Sequence, residues 1–184
     1  MSDVYSPVPE LNMLKEFADN VGGFFDPDGF EFFEYGRDID WFCGDAPDSY
    51  LERLLPFAYA TSSGSFYALW RCDDRADLAT LPVIFFGDEG ELSVAASNLR
   101  ELLQLLTLKD EYDDELNAEI APERQQYLEW LDRNFGLPAL ESFDNVGGEE
   151  LKVCTRRFGE WLLEFATGDL RETVCVELHL EDLA

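Results

Sequence analysis

The stretch FYALWRCDDRADLATLPVIFFGDEGELSVAASNLRELLQLL, residues 66–106, decides the fold class of this chain. Its first residues alternate. Phe66, Ala68 and Trp70 fall on one side of an extended backbone, and Tyr67, Leu69 and Arg71 fall on the other. That two-residue period predicts a strand. A polar connection, Cys72 to Asp77, leads to the apolar run Pro82 to Phe86. Asp88-Glu89-Gly90 supplies turn residues, and Leu92 to Ala96 returns as the partner strand. Then the period changes. Asn98 stands where a helix needs its N-cap, and Glu101 three residues later is a capping-box partner. Leu99, Leu102, Leu103 and Leu106 follow at helical spacing. Strands and helices intermix without strict βαβ alternation, which predicts an α+β architecture of antiparallel hairpins packed against helices.

Upstream, Leu11, Leu14, Phe17 and Ala18 mark a helix over Glu10 to Asn20, stopped by Gly22-Gly23. Phe24-Phe25 and the strand-like Phe30 to Tyr35 flank the turn Asp26-Pro27-Asp28-Gly29 as a candidate hairpin. Asp38 to Asp48 reads as an acidic loop, and Ser49 to Leu55 as one or two helical turns. Thr61-Ser62-Ser63-Gly64 reads as a loop. Downstream, Asp110 to Glu119 reads as an exposed acidic loop, with six of its ten residues Asp or Glu. Pro122 suits the first turn of a helix whose face is Leu128, Leu131 and Phe135, ended by Gly136. Glu149 to Ala166 places Leu151, Cys154, Phe158, Trp161, Leu162 and Phe165 at spacings of three and four, an amphipathic helix ended by Gly168. Val174, Val176, Leu178 and Leu180 alternate with Cys175, Glu177, His179 and Glu181, which predicts a half-buried strand. Residues 149–184 thus read as a helix–strand elaboration on a single domain, 1–184.

Composition bounds the function. An apolar fraction of 46%, with 15 Phe, 7 Tyr and 4 Trp, supplies a real core. Forty Asp and Glu against 13 Lys and Arg give a formal charge of −27. Nucleic acid and anionic membrane surfaces are poor partners for such a chain, because both are bound through Lys and Arg. A basic protein fits better, since opposite fields speed encounter. The same charge also serves solubility or salt adaptation. Met1-Ser2-Asp3-Val4 has neither a basic nor an apolar leader segment, so a reducing cytoplasm with free thiols is expected.

The usual catalytic signatures are not found. His179 is the single histidine, and Cys175 lies four residues away. On one strand face that is about 13 Å, too far for a dyad. Cys43, Cys72, Cys154 and Cys175 form no Cys-x-x-Cys pair and match no zinc pattern. Asp26-Pro27-Asp28-Gly29 departs from a calcium loop, with Phe30 at the third acidic position. Carboxylate pairs such as Asp38 with Asp40 and Asp73 with Asp74 are expected by chance among so many acids. No glycine-rich phosphate loop is present, and no cofactor is expected.

Taken in order, Pro56-Phe57-Ala58, Gly64, Tyr67-Ala68-Leu69-Trp70, the run Leu81 to Gly90, Val94-Ala95 and the run Asn98 to Leu106 resemble the core of the SUKH superfamily, the SMI/KNR-type group. The resemblance covers residues 56–106; Ala46-Pro47-Asp48-Ser49-Tyr50 and Asn20-Val21-Gly22-Gly23 partly echo two further family elements. It implies an α+β fold with a twisted, largely antiparallel sheet and helices packed against it. For bacterial members it implies an immunity protein that binds and silences a secreted toxin, often a basic nuclease or deaminase. Other members are regulatory protein-binding modules.

An inhibitor of a basic nuclease needs a rigid scaffold, a negative field and a few aromatic anchors. Asp26 to Glu34, Asp38 to Asp48 with Trp41 and Phe42, and Asp110 to Glu119 with Tyr112 combine these features. The candidate contact residues are Asp38, Asp40, Trp41, Asp45, Asp73, Asp74, Asp113, Asp114 and Glu115. Taken singly, large aromatics are more often core than anchor, and acids more often simply solvated. Three readings follow: a toxin-neutralising immunity protein, a regulatory or scaffolding interaction module of the same fold, and a carboxylate-based enzyme. The last requires a deep pocket holding acids of raised pKa.

Overall fold

In the computed structural model, Phe66, Ala68 and Trp70 point to one side of their strand and Tyr67 and Leu69 to the other, and both sides are covered. The structure describes residues 4–22, 25–26, 28–39, 41, 46–108, 118, 121–142, 148–180 and 182. Five strands form one sheet: β1 (Glu31–Phe32), β2 (Leu54–Tyr59), β3 (Phe66–Trp70), β4 (Val83–Phe86) and β5 (Leu92–Ala96). Their order is β1-β2-β3-β4-β5, and every neighbouring pair is antiparallel. Six helices among the described residues surround it: α1 (Pro9–Val21), α2 (Asp48–Leu51), α3 (Leu99–Leu105), α4 (Ala121–Phe135), α5 (Gly148–Leu162) and α6 (Asp169–Glu177). The fold is α+β, as the sequence predicts.

The helices divide between the two faces. Leu11, Leu14 and Phe17 of α1, Leu99, Leu102 and Leu103 of α3, and Tyr127 and Leu131 of α4 cluster with Phe57, Leu69 and Val83. On the opposite face, Phe158 and Leu162 of α5 and Val174 of α6 cluster with Phe66, Ala68, Trp70, Ile84 and Phe86. Each such side chain, fully buried, contributes about 1.5–3 kcal/mol relative to exposure. Two bulges break the strict alternation of faces. Register shifts between Pro56 and Ala58, so the neighbours Phe57 and Ala58 join the same cluster. A second shift between Val83 and Ile84 places Ala96 on the α3 side while Val94 stays on the α5 side.

The helix start at Asn98 forms as read, with one change. The Glu101 N–H donates to Asn98 Oδ1 at 3.1 Å, but the Glu101 carboxylate accepts from the Ser97 N–H and hydroxyl, at 2.8 and 2.6 Å. The reciprocal bond of the capping box falls one residue earlier.

Three expectations are corrected. Phe25 does not pair in a hairpin with Phe30 to Tyr35: it is buried in the core, and β1 pairs with β2 instead, while Phe24 lies outside the described residues. The segment Ser49 to Leu55 holds a single helical turn, α2, and already enters β2 at Leu54. Pro56 and its bulge hide β2 in the sequence, because proline in a strand and a broken alternation both argue against one. Val174 to Leu180 is not a strand: Asp169 to Glu177 is helical, so the described residues 148–180 hold two helices and not a helix and a strand. Val174, Cys175, Leu178 and Leu180 are buried while Val176 is 52% exposed, which the alternating pattern forbids. Further upstream, Arg124, Tyr127 and Leu131 make the buried stripe of α4, with Leu128 and Phe135 only half-buried.

Candidate protein-binding surface

The antiparallel register sets the geometry of the site. Phe66 stands opposite Phe86, so the β2–β3 loop, Thr61 to Gly64, and the β4–β5 turn, Gly87 to Gly90, lie at the same end of the sheet. Asp88 joins them. Its Oδ1 accepts from the Ser63 and Ser65 hydroxyls at 3.0 and 2.7 Å, and its N–H donates to Ser65 Oγ at 3.2 Å. Those two hydroxyls hold the Asp88 carboxyl below its ordinary range. Gly87 is required by close approach, since a Cβ there would collide with the Glu91 side chain.

Trp41 closes this end from the α5 side. Its indole N–H donates to the Gly87 carbonyl at 3.3 Å, and its ring lies 5.8 Å from that of Phe86. It is half-buried, so it is both part of the core and a wall of the surface. Trp41, Phe66, Phe86, Gly87 to Gly90 and Leu170 line a cleft of about 440 Å³. A second cleft of about 600 Å³ lies between Gly29 to Glu31, Tyr59 and Thr61 to Gly64. Gly64 belongs to both. Among the described residues, those lining the two include Glu31, Asp88 and Glu89 and no Lys or Arg.

The other end of β3 is different. Arg75 grips Asp73 with Nε at 2.6 Å and Nη2 at 2.5 Å, a bidentate pair, and Arg53 stands 3.6 Å from Asp74. The Arg75 hydrogen bonds hold the Asp73 carboxyl well below the usual carboxylate range. The Cys72 thiol lies 3.7 Å from both Asp73 Oδ2 and Arg75 Nη2, and burial together with Asp73 pushes it up. A raised thiol pKa makes a poor nucleophile. Burial also raises the Cys154 thiol.

The structure therefore separates the candidates. Trp41 sits at the acidic end, and Asp73 and Asp74 lie past the opposite end of β3, about 17 Å along a five-residue strand. Asp38 is exposed on the segment between Gly36, whose N–H donates to the Pro56 carbonyl at 2.8 Å, and Trp41. Asp40, Asp45, Asp113, Asp114 and Glu115 lie outside the described residues, as do Phe42 and Tyr112. Sequence reasoning missed Glu31, Asp88 and Glu89 as one group. Both turns were legible from their glycines and serines; their meeting depends on strand register.

Behind the surface lies a buried polar pair. Asp26 is 5% exposed and accepts the Phe30 N–H at 3.3 Å. Burial, then the neighbouring Asp28, pushes its carboxyl up to about 7. Arg124 is 6% exposed and donates through Nη2 to the Thr107 carbonyl; burial lowers its pKa. Asp26 lines neither cleft. Among the described residues, no three of His, Cys, Asp and Glu gather as a metal site, and no helix is long and apolar enough to cross a membrane. No protein-family model matches this chain, and no curated protein or solved structure matches it either.

Proposed function

We propose that this protein binds another protein without catalysing a reaction, as an immunity protein that neutralises a cognate, basic, nuclease-type toxin. The observation that carries the reading is the charge arrangement. Arg53 and Arg75 answer the acids at one end of the sheet, while among the described residues the clefts at the other end are lined by acids without a cation. A negative field over such an end attracts a basic domain and stands in for the phosphates that a nuclease binds. Trp41, half-buried beside Gly87, supplies an aromatic anchor of the kind that carries contact energy. The ordered resemblance over residues 56–106 supports the same reading. That Asp26, with its raised carboxyl, lines neither cleft favours binding over carboxylate catalysis.

The test is co-purification of the tagged chain with the product of its neighbouring gene, followed by titration across salt. The expected result is a one-to-one complex that silences a toxic activity and weakens as salt rises. Recovery of a non-toxic partner instead would favour a regulatory module, and no complex at any salt would overturn the reading.

A further inference from the structure

The edge of the sheet at β1 carries a second kind of information. The Phe33 N–H donates to the Phe57 carbonyl at 3.3 Å, and Glu31 stands opposite Tyr59. In an antiparallel ladder alternate residues face the partner, so residues 31 and 33 direct their backbone groups to β2. Phe32, between them, turns its N–H and C=O outward. Neither group is hydrogen-bonded among the described residues, nor are the Phe30 C=O and the Glu34 N–H on the same side. Four outward groups over five residues form a template for one more strand.

Among the described residues, the space beside them is open. A groove of about 400 Å³ runs between this edge and α1, lined by Lys15, Ala18, Asp19, Gly22 and Phe30 to Phe32. Gly22, Phe30 and Glu31 also line the 600 Å³ cleft, so the two are continuous. The charge of the groove is acidic. Among its described residues the one cation, Lys15, is held by both Asp19 oxygens at 2.5 and 2.6 Å. Glu31 and Glu34 are exposed and form no ion pair among the described residues. A second copy of the chain is a poor occupant, because two chains of formal charge −27 would meet at acidic edges.

We propose that the free edge of β1 is a strand-addition site for an extended, Lys- or Arg-bearing segment of a basic partner; this rests on the protein-binding reading above and names the contact element. The segment pairs with residues 30–34, about 17 Å of backbone. Its main chain bonds Phe32 and Glu34, and its cations lie near Glu31 and Glu34.

The test uses the full-length chain and a capped Lys-Val-Lys-Val-Lys-Val-Lys peptide, with the backbone N-methylated form of equal charge as control. Amide exchange is followed residue by residue. The expected result is that the Phe32 and Glu34 amides slow about tenfold or more with the peptide and not with its N-methylated form, as new main-chain hydrogen bonds require. Glu31→Lys with Glu34→Lys is expected to weaken peptide binding about tenfold. Unslowed Phe32 and Glu34 amides at saturating peptide, or equal effects of the N-methylated control, would overturn the proposal. So would an unchanged affinity in the double variant. The two readings fail separately. Peptide capture at β1 with no basic partner recovered would sink toxin neutralisation and leave the edge standing. A partner that binds while the Phe32 amide exchanges at its free rate would sink the edge alone.

Discussion

The Cδ1 methyl of Leu180 fills the space that a Cβ on Gly159 would need. This contact fastens the C-terminal turn to α5, and Leu178 packs beside it. Gly159→Ala is therefore expected to destabilise the fold by about 1–3 kcal/mol, the usual range for an overpacked core. Leu180→Ala leaves a cavity and is expected to cost about 2–4 kcal/mol. The double variant should be less destabilised than the sum, because the alanine methyl enters the space that Leu180 vacates. Urea midpoints of the four proteins at constant slope measure this; strict additivity would show that the two residues do not share the space.

His179 adopts a left-handed backbone with φ of 54°. It stands where glycine usually ends a helix: the Leu180 N–H donates to the Cys175 carbonyl at 2.7 Å and the His179 N–H to that of Val176 at 3.2 Å. His179→Gly is expected to stabilise the protein by about 0.5–1 kcal/mol, with partner binding unchanged. Thermal melting of the purified variant checks the sign.

Asp26 predicts a pH dependence. Its folded pKa of about 7 lies above its ordinary value of 3.8, chiefly through burial, so the folded state holds the proton that the unfolded chain has released. Stability from this group is therefore full below pH 3.8, falls as pH rises toward 7, and is level above. Asp28, Arg124, Tyr67 and Tyr127 are the charged or titratable groups coupled to it. Relative to Asp26→Asn, the wild type should lose about 1.4 kcal/mol per pH unit across that window. Denaturation of both proteins from pH 4 to 8 gives the difference, and parallel curves would refute the assignment.

Asn98→Ala removes the acceptor of the Glu101 N–H and is expected to cost about 1 kcal/mol. Glu101→Ala should cost a similar amount, because the Ser97 N–H and hydroxyl lose their common acceptor. Glu101→Gln keeps one acceptor oxygen and should lie between. Equilibrium unfolding ranks the three.

Charge reversal separates the two ends of the sheet. Glu31→Lys with Glu89→Lys is expected to slow association with a basic partner about tenfold at low salt, with the difference closing near 0.5 M. Asp73→Lys with Asp74→Lys should change the rate much less, since Arg75 and Arg53 already face those acids. Stopped-flow association across salt measures both; equal slowing would show that the whole surface steers alike.

The sequence by itself determined the elements whose pattern is local. The alternation of Phe66 to Trp70, the turn at Asp88 to Gly90, the Asn98 cap and the apolar stripes of α1, α3 and α5 all stand as read, because a period of two or 3.6 is set by which face each neighbour buries. Only the tertiary structure decided the rest. β2 is a strand despite Pro56, because β1 and β3 flank it on both sides and a bulge absorbs the mismatch. Val174 to Leu180 alternates as a strand would, yet Asp169 to Glu177 is helical, with Leu178 and Leu180 packed against Gly159 and Val176 exposed. The candidate surface depends on register in the same way. Glu31 lies far in sequence from Asp88 and Glu89, and antiparallel pairing brings them to the same end of the sheet, while Asp73 and Asp74 are carried to the other and find arginines there.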